Sequence, residues 1–250
     1  MSITSIKING VLPVVPGMKT LDDFVVTNWF SDFPVVTGTN KGGYYFSDIV
    51  TDITLNSFNN ALPLIEYGTF DNSQGYISVN SSNYLDTSVI DSGNTKIIAV
   101  IRRPPVHTDG SVYFVADFST ASGSGIGVAL GIGTDGNLRM AAQNAGGSLG
   151  LATVAWPASI AVGDLCAVAG HAYQGQVYAA VYNPATLNYV GSSASLSGTK
   201  SAGTKSLLIG KRPDGNTSTT SIDIKSAVLI DGQITGAEQL AVMQYMLAMN

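Results

Sequence analysis

Charged side chains are scarce in this sequence. Asp, Glu, Lys and Arg make up 12 % of the 250 residues, and the formal net charge is −5. An ordinary globular protein has about twice that share of charged residues. The only adjacent basic residues are two isolated pairs, Arg102-Arg103 and Lys211-Arg212. Because nucleic-acid binding depends on clustered cations that displace counterions, the sequence argues against a nucleic-acid partner.

Glutamate, cysteine and histidine are also nearly absent. The chain has two glutamates, Glu66 and Glu238, one cysteine and two histidines. Cys166 cannot form an internal disulfide and lies in an apolar run, which predicts a small core residue. These counts leave no usable zinc-ligand spacing. A retaining glycosidase of this fold needs two carboxyl groups about 5 Å apart, typically in an E-x-D-x-x-E strand. No such string occurs, and Glu238 is expected to cap a helix, so this enzyme class is largely excluded. We therefore predict no catalytic residue, no metal and no cofactor, with an Asp-based polysaccharide hydrolase or lyase as the enzymatic alternative.

Long apolar segments are missing as well. Residues 165–199 contain no charged residue, but polar residues, glycine and proline interrupt every stretch of about 20 residues that could cross a membrane. Residues 1–16 lack the basic segment and apolar run of a signal peptide. The expectation is a protein that is synthesised in a cytoplasm and does not insert into a membrane.

Short apolar or alternating runs bounded by Gly, Pro, Asn or Asp recur along the chain. Such spacing of strands and turns favours an antiparallel β-sandwich. In 176–182 both alternating sets of side chains are apolar or aromatic, which predicts a strand covered on both faces. The predicted strands are 76–79, 96–101, 112–118, 127–132, 138–142, 149–156, 165–169, 177–182 and 187–190.

One helix is predicted, at the end of the chain. Thr235 precedes Glu238 by three residues, so the threonine oxygen can accept the Glu238 N–H while the carboxylate accepts the Thr235 N–H. This capping box predicts a helix beginning at Gly236. Residues 1–60 have weaker periodicity and form either an N-terminal arm, which could mediate assembly, or outer strands of the sandwich. Residues 61–250 are predicted to form the sandwich itself.

Two glycine motifs resemble catalytic or cofactor signatures. Residues 131–136 match the dinucleotide pattern G-x-G-x-x-G, but a strand follows where a helix is required, so Asp135-Gly136 is predicted to be a hairpin turn. Residues 146–150 match the hydrolase pattern G-x-S-x-G, and again a strand follows. Ser148 is therefore predicted to be a loop residue.

The order of the elements from about residue 66 resembles the laminin G-like, concanavalin A-like lectin superfamily, especially its divergent members in bacteriophage virion proteins. Four stretches carry this resemblance, namely 67–77, 95–102, 112–118 with 125–130, and the ending 206–210, 224–230 and 234–238. It implies an all-β fold, an antiparallel jelly-roll β-sandwich with one short C-terminal helix. No paired-acid calcium motif accompanies it.

The resemblance implies a non-enzymatic structural protein of a bacteriophage virion, in a tail, fibre or decoration position, that binds a host-surface polysaccharide. Other virion subunits are the expected partners, and a homo-oligomer is expected. One alternative is a cement or decoration protein with no glycan ligand.

Loop residues supply the side chains that sugars require. Amides and carboxylates bond sugar hydroxyls, and an aromatic face packs on the sugar C–H surface. Asn and Asp are equally common in turns for structural reasons. The candidate ligand-binding residues are Asp135, Asn137, Asn144, Asp214 and Asn216, with Tyr173 or Trp156 as an aromatic platform.

Overall fold

The computed structural model describes residues 28–108, 110–119, 125–215 and 218–249. These residues form fourteen β-strands and one α-helix. In chain order they are β1 Thr39–Tyr45, β2 Ile65–Tyr67, β3 Ile77–Val79, β4 Tyr84–Ile90, β5 Thr95–Arg102, β6 Val112–Ala116, β7 Gly127–Ile132, β8 Leu138–Gln143, β9 Gly150–Val154, β10 Leu165–Tyr173, β11 Gln176–Asn183, β12 Asn188–Ser195, β13 Ser206–Ile209, β14 Ile222–Asp231 and α1 Gly236–Ala248.

The strands form two antiparallel sheets of seven strands each. The first sheet has the order β1-β14-β5-β10-β11-β12, and β3 pairs with the N-terminal part of β14. The second has the order β2-β4-β13-β6-β7-β8-β9. The predicted all-β sandwich with one C-terminal helix is confirmed.

The first sheet is the middle of three layers, and β5 shows how the sequence specifies this. Ile97, Ala99 and Ile101 belong to the core between the two sheets. Ile98 and Val100 face the other way, into a second core beneath α1. A strand buried on both faces needs a continuous apolar run rather than an alternating one. The predicted burial of both faces of 176–182 is confirmed for the same reason, except that Tyr178 is only half-buried.

Helix α1 begins with the predicted capping box. Glu238 N donates to Thr235 Oγ1 over 3.2 Å, and Thr235 N donates to Glu238 Oε2 over 2.6 Å. Thr37 N also donates to Glu238 Oε1 over 2.8 Å. Val242, Met243 and Met246 pack on the outer face of the first sheet. The Glu238 carboxylate is thus used to fix the helix start and to hold residue 37 against it.

The N-terminal region contributes to the first sheet. Residues 39–45 pair with β14 as an outer strand, and Phe30 is buried in the core beneath α1. Residues 1–27 lie outside the described part of the chain. The division at residue 60, and a role of residues 1–60 in assembly, stay predictions.

Both glycine motifs are turns, as predicted. Gly136 has a φ of +74° in the hairpin between β7 and β8, and Gly136 N donates to Gly133 O over 2.8 Å. Gly has no Cβ to oppose this left-handed conformation. Ser148 lies between β8 and β9. Cys166 is a buried free thiol in the core between the sheets, also as predicted.

Candidate functional site

One open cleft among the described residues lies where the edge strands of the two sheets meet. The second sheet ends at β9 and the first at β12. At one end these strands are so close that a Cβ on Gly150 would lie 2.8 Å from Ser195 O. Farther along they bound a cleft of about 520 Å³. We call it the Trp156 cleft and define it by six lining residues, Thr153, Trp156, Ser159, Asn183, Gly191 and Ser192.

The indole of Trp156 is held in a fixed position at the side of this cleft. Trp156 is half-buried and packs against the core between the sheets. Its Nε1 donates to Gly136 O over 2.6 Å, which ties the ring to the β7–β8 hairpin. The Arg103 guanidinium lies 5.8 Å from the ring centroid and donates to Ile160 O. A ring fixed in this way loses little side-chain entropy when a ligand packs on it.

The cleft lining also contains polar groups. Ser159 Oγ donates to Asn183 Oδ1 over 2.8 Å, and Ala185 N donates to the same oxygen over 3.0 Å. Because both bonds use Oδ1, the Nδ2 group is the part of this amide that can donate to a ligand. The half-buried Thr153 and Ser192 add hydroxyls from β9 and β12.

No Asp, Glu, Lys, Arg or His lines the Trp156 cleft among the described residues. A flat aromatic surface combined with amide and hydroxyl groups suits a neutral ligand with many hydroxyls. A charged ligand would find no opposite charge among these lining groups.

Asp135 and Asn137 lie in the hairpin that holds Trp156, beside the cleft rather than in its lining. Asn137 N donates to Asp135 Oδ1 over 3.2 Å, and Asn137 Nδ2 donates to Asp135 Oδ2 over 3.0 Å. Arg139 Nη2 lies 3.3 Å from Asp135 Oδ2. These side chains therefore stabilise the turn that positions the indole.

Asn144 lies elsewhere and fixes a loop. Its Nδ2 donates to Ser197 O over 2.7 Å and to Thr199 O over 2.8 Å, and its Oδ1 accepts from Ser201 N over 2.8 Å. Both ends of the buried amide are used to hold the β12–β13 connection.

Asp214 is also engaged within the protein. Both of its carboxylate oxygens accept from Arg212, each over 2.8 Å, and its side chain is 1 % exposed. The Arg212 guanidinium stacks over Tyr113 and Phe118. Asn216 lies outside the described residues.

Tyr173 lines a different pocket, of about 230 Å³, on the outer face of the first sheet near the start of α1. Its ring stacks on His171 with a centroid distance of 5.7 Å. The predicted ligand-binding residues are therefore distributed over several places and form no single cluster. Their ligand-binding role stays a prediction.

Sequence analysis missed Ser159, Asn183 and Ser192. Asn183 precedes Pro184 in the β11–β12 turn, a setting in which Asn is usually structural. Only the pairing of distant strands brings these side chains beside Trp156.

The two glutamates lie on different elements. Glu66 lies on β2, whereas Glu238 caps α1. The described residues contain no group of three or more His, Cys, Asp or Glu side chains that could hold a metal ion. Within the same residues, α1 is too short to be a membrane-spanning helix.

No protein-family model matches this sequence, and no curated protein does. Solved structures do match its fold. A mutant of Trypanosoma rangeli sialidase with trans-sialidase activity matches with a TM-score of 0.57 and 10 % identity, covering 85 % of this chain and 34 % of that one. The HCR/D F1240A mutant matches with a TM-score of 0.58 and 11 % identity over 85 % of this chain and 53 % of that one.

Domain 4 of AbnA, a GH43 extracellular arabinanase from Geobacillus stearothermophilus, is similar over nearly its full length. The TM-score is 0.54 at 13 % identity, and the match covers 83 % of this chain and 99 % of that domain. By contrast, this chain spans about a third of the sialidase and about half of the HCR/D protein. At such identities the likeness concerns the fold alone, and this chain shares the β-sandwich architecture of these structures.

Proposed function

We propose that this protein is a non-enzymatic carbohydrate-binding β-sandwich and that its Trp156 cleft binds a neutral glycan. The observation that carries the proposal is the lining of the cleft: a fixed indole shares this lining with an amide and hydroxyls, and no ionisable group is among the lining residues described. One similar structure, the arabinanase domain, is described in complex with arabinotriose. That finding belongs to the other protein, but it supports a test with neutral oligosaccharides.

We also infer, from the sequence resemblance, a structural role in a bacteriophage virion, with other virion subunits as partners and host-surface polysaccharide as the glycan. The low charge supports placement within an assembly. Apolar side chains exposed near the sheet edges support it too, since Leu149 and Leu151 are 51 % and 36 % exposed. Apolar side chains that remain exposed in one chain can be covered by a neighbouring subunit. A cement protein without a glycan ligand is the second candidate, supported by these same side chains.

The first experiment is a glycan array followed by calorimetry with the best neutral oligosaccharide. Trp156→Ala removes the aromatic face, and Asn183→Ala removes the free amide donor. We expect each variant to bind at least about tenfold more weakly, as for a truncated anchor residue. Trp29→Ala is the matched control, because Trp29 lies on the outer face of the first sheet, and it should bind like the wild type.

Two outcomes would contradict the proposal. A flat array with a folded protein would favour the cement protein, and unchanged binding by both cleft variants would place the glycan elsewhere. Release of reducing ends from the bound polysaccharide would instead establish the hydrolase alternative. Sedimentation of the protein, alone and with virions, tests the homo-oligomer and the virion role separately.

A further inference from the structure

The second pocket has a different chemistry from the Trp156 cleft. It lies between the outer face of the first sheet and the N-terminal end of α1, with a volume of about 230 Å³. We call it the Lys96 pocket and define it by Lys96, His171, Tyr178, Tyr189, Gly236 and Gln239.

Lys96 brings a buried ammonium group to this pocket. The residue is 5 % exposed, and its Nζ donates to Gln239 Oε1 over 2.8 Å. It forms no ion pair with a carboxylate in the described part of the chain. Burial lowers the pKa of Lys96 to about 8, although the Glu238 charge raises it. The amine is therefore mostly charged near neutral pH, and a buried charge without a counter-ion destabilises the folded state.

Gln239 supplies a second donor. It is 2 % exposed, and its Nε2 completes no hydrogen bond within the described residues. Gln239 does interact with the Tyr178 hydroxyl, which lowers the pKa of Tyr178, but burial has the larger effect and raises it to about 12. Tyr178 thus keeps a neutral hydroxyl that can donate to an anion.

The start of α1 adds backbone N–H donors, beside the Glu238 carboxylate that already bonds Thr235 N. The first N–H groups of a helix are unpaired and carry a partial positive charge. Gly236 is the first residue of α1, and a Cβ there would lie 2.7 Å from the Tyr189 hydroxyl. The absence of a side chain at Gly236 is what lets that hydroxyl approach the helix start.

His171 does not contribute charge. Burial, and then the charge of Lys96, lowers its pKa to about 4, and its Nε2 lies 3.1 Å from Asn94 Oδ1. Near neutral pH the lining groups of the Lys96 pocket therefore carry a single positive charge and several donors. This combination selects an anion with one negative charge.

The volume of the Lys96 pocket indicates the size of the ligand. About 230 Å³ equals roughly eight water molecules in liquid volume, more than one inorganic oxyanion fills. Tyr173, Tyr178 and Tyr189 provide apolar ring surface around the charge. We propose that the Lys96 pocket binds the carboxylate of a small organic acid the size of a sugar acid.

This site is independent of the glycan proposal. Tyr189 and Val190 are consecutive residues of β12, so their side chains point to opposite faces of the sheet. Tyr189 lines the Lys96 pocket and Val190 lines the Trp156 cleft. A negative result for one binding site therefore leaves the proposal for the other unchanged.

Calorimetry near neutral pH with glucuronate, glucose and inorganic sulfate tests the proposal. Glucuronate should bind and glucose should not, because the two differ in the carboxylate. Lys96→Met should weaken glucuronate binding at least about tenfold. Lys205→Met, the same change on an exposed lysine, should leave it unchanged, as should Trp156→Ala.

NMR of the two histidines gives a readout that needs no variant. Glucuronate should shift the ring signals of His171, in the pocket, and leave those of His107 unchanged. Failure of glucuronate to bind, or shifts at His107 alone, would overturn the proposal. Sulfate binding as tight as glucuronate would also overturn it, because the site would then recognise any oxyanion.

Discussion

Two buried carboxyl groups, those of Asp91 and Asp117, lie beside one buried ammonium group, that of Lys200. Lys200 Nζ is 3.0 Å from Asp91 Oδ2. Asp117 Oδ1 accepts from Val128 N over 2.6 Å, whereas Asp117 Oδ2 has no hydrogen-bond partner among the described residues. Burial, followed by the Asp91 charge, raises the pKa of Asp117 to about 7.

This raised pKa predicts a dependence of stability on pH. In the unfolded chain an Asp loses its proton near pH 4, so between about pH 4 and pH 7 the folded state binds the extra proton. The contribution of Asp117 to the free energy of unfolding therefore falls as the pH rises through this window. Asp117→Asn keeps the acceptor for Val128 and removes the titration. Relative to wild type, we expect the Tm of this variant to rise by a few degrees from about pH 4 to pH 7.

Thermal unfolding across this pH range measures the effect. His171 has the opposite slope, because its pKa is lowered to about 4 and the unfolded chain binds the extra proton between about pH 4 and pH 6.5. It is present in both proteins, so it cancels in the difference. A difference in Tm that stays constant with pH would contradict the assignment of a raised pKa to Asp117.

Among the elements, the β12–β13 connection depends on one distant side chain. Asn144, at the end of β8, makes three hydrogen bonds to the backbone of residues 197–201. We expect Asn144→Ala to lower the free energy of unfolding by about 2–3 kcal/mol, or the Tm by roughly 5–10 °C. Denaturant and thermal unfolding test this.

Asn137→Ala is the matched control, because the Asn137 side chain bonds only Asp135 within an exposed turn in the described structure. It should cost less than about 1 kcal/mol. If Asn144→Ala instead had wild-type stability and lost glycan binding, Asn144 would be a ligand residue, as the sequence analysis predicted.

The elements whose signals are local could be predicted from sequence. Residues 97–101 of β5 are apolar at every position, and Thr235 with Glu238 specifies a helix start within four residues. The hairpin at Asp135-Gly136 likewise follows from turn chemistry and the strand after it. Each of these depends on residues that are close in the chain.

The candidate site could not be predicted in this way. The Trp156 cleft is formed by β9 of the second sheet and the β11–β12 hairpin of the first. No local sequence pattern predicts that the edges of the two sheets meet there. Asn144 is a predicted ligand-binding residue whose amide has a structural role in the fold. Nothing near it in the sequence indicates that its amide bonds a loop 53 residues away. Sequence reasoning identified Trp156 as a possible platform but not its polar partners.

On the scale of the whole molecule, the three layers determine where ligands can bind. The core between the sheets is filled by apolar side chains, and α1 covers part of the outer face of the first sheet. Of the two proposed sites, the Trp156 cleft lies at the sheet edges and the Lys96 pocket lies beside the helix start. The neutral lining of the first and the single charge of the second predict different ligands.

The central claim is that a neutral glycan binds in the Trp156 cleft. The most direct test is an NMR titration of the wild-type protein with a neutral oligosaccharide such as arabinotriose or the best ligand of the array. We predict that the Trp156 indole N–H and Asn183 amide signals shift with one common dissociation constant, while the Trp29 indole signal does not move. Saturable shifts that leave Trp156 and Asn183 unchanged would contradict the claim.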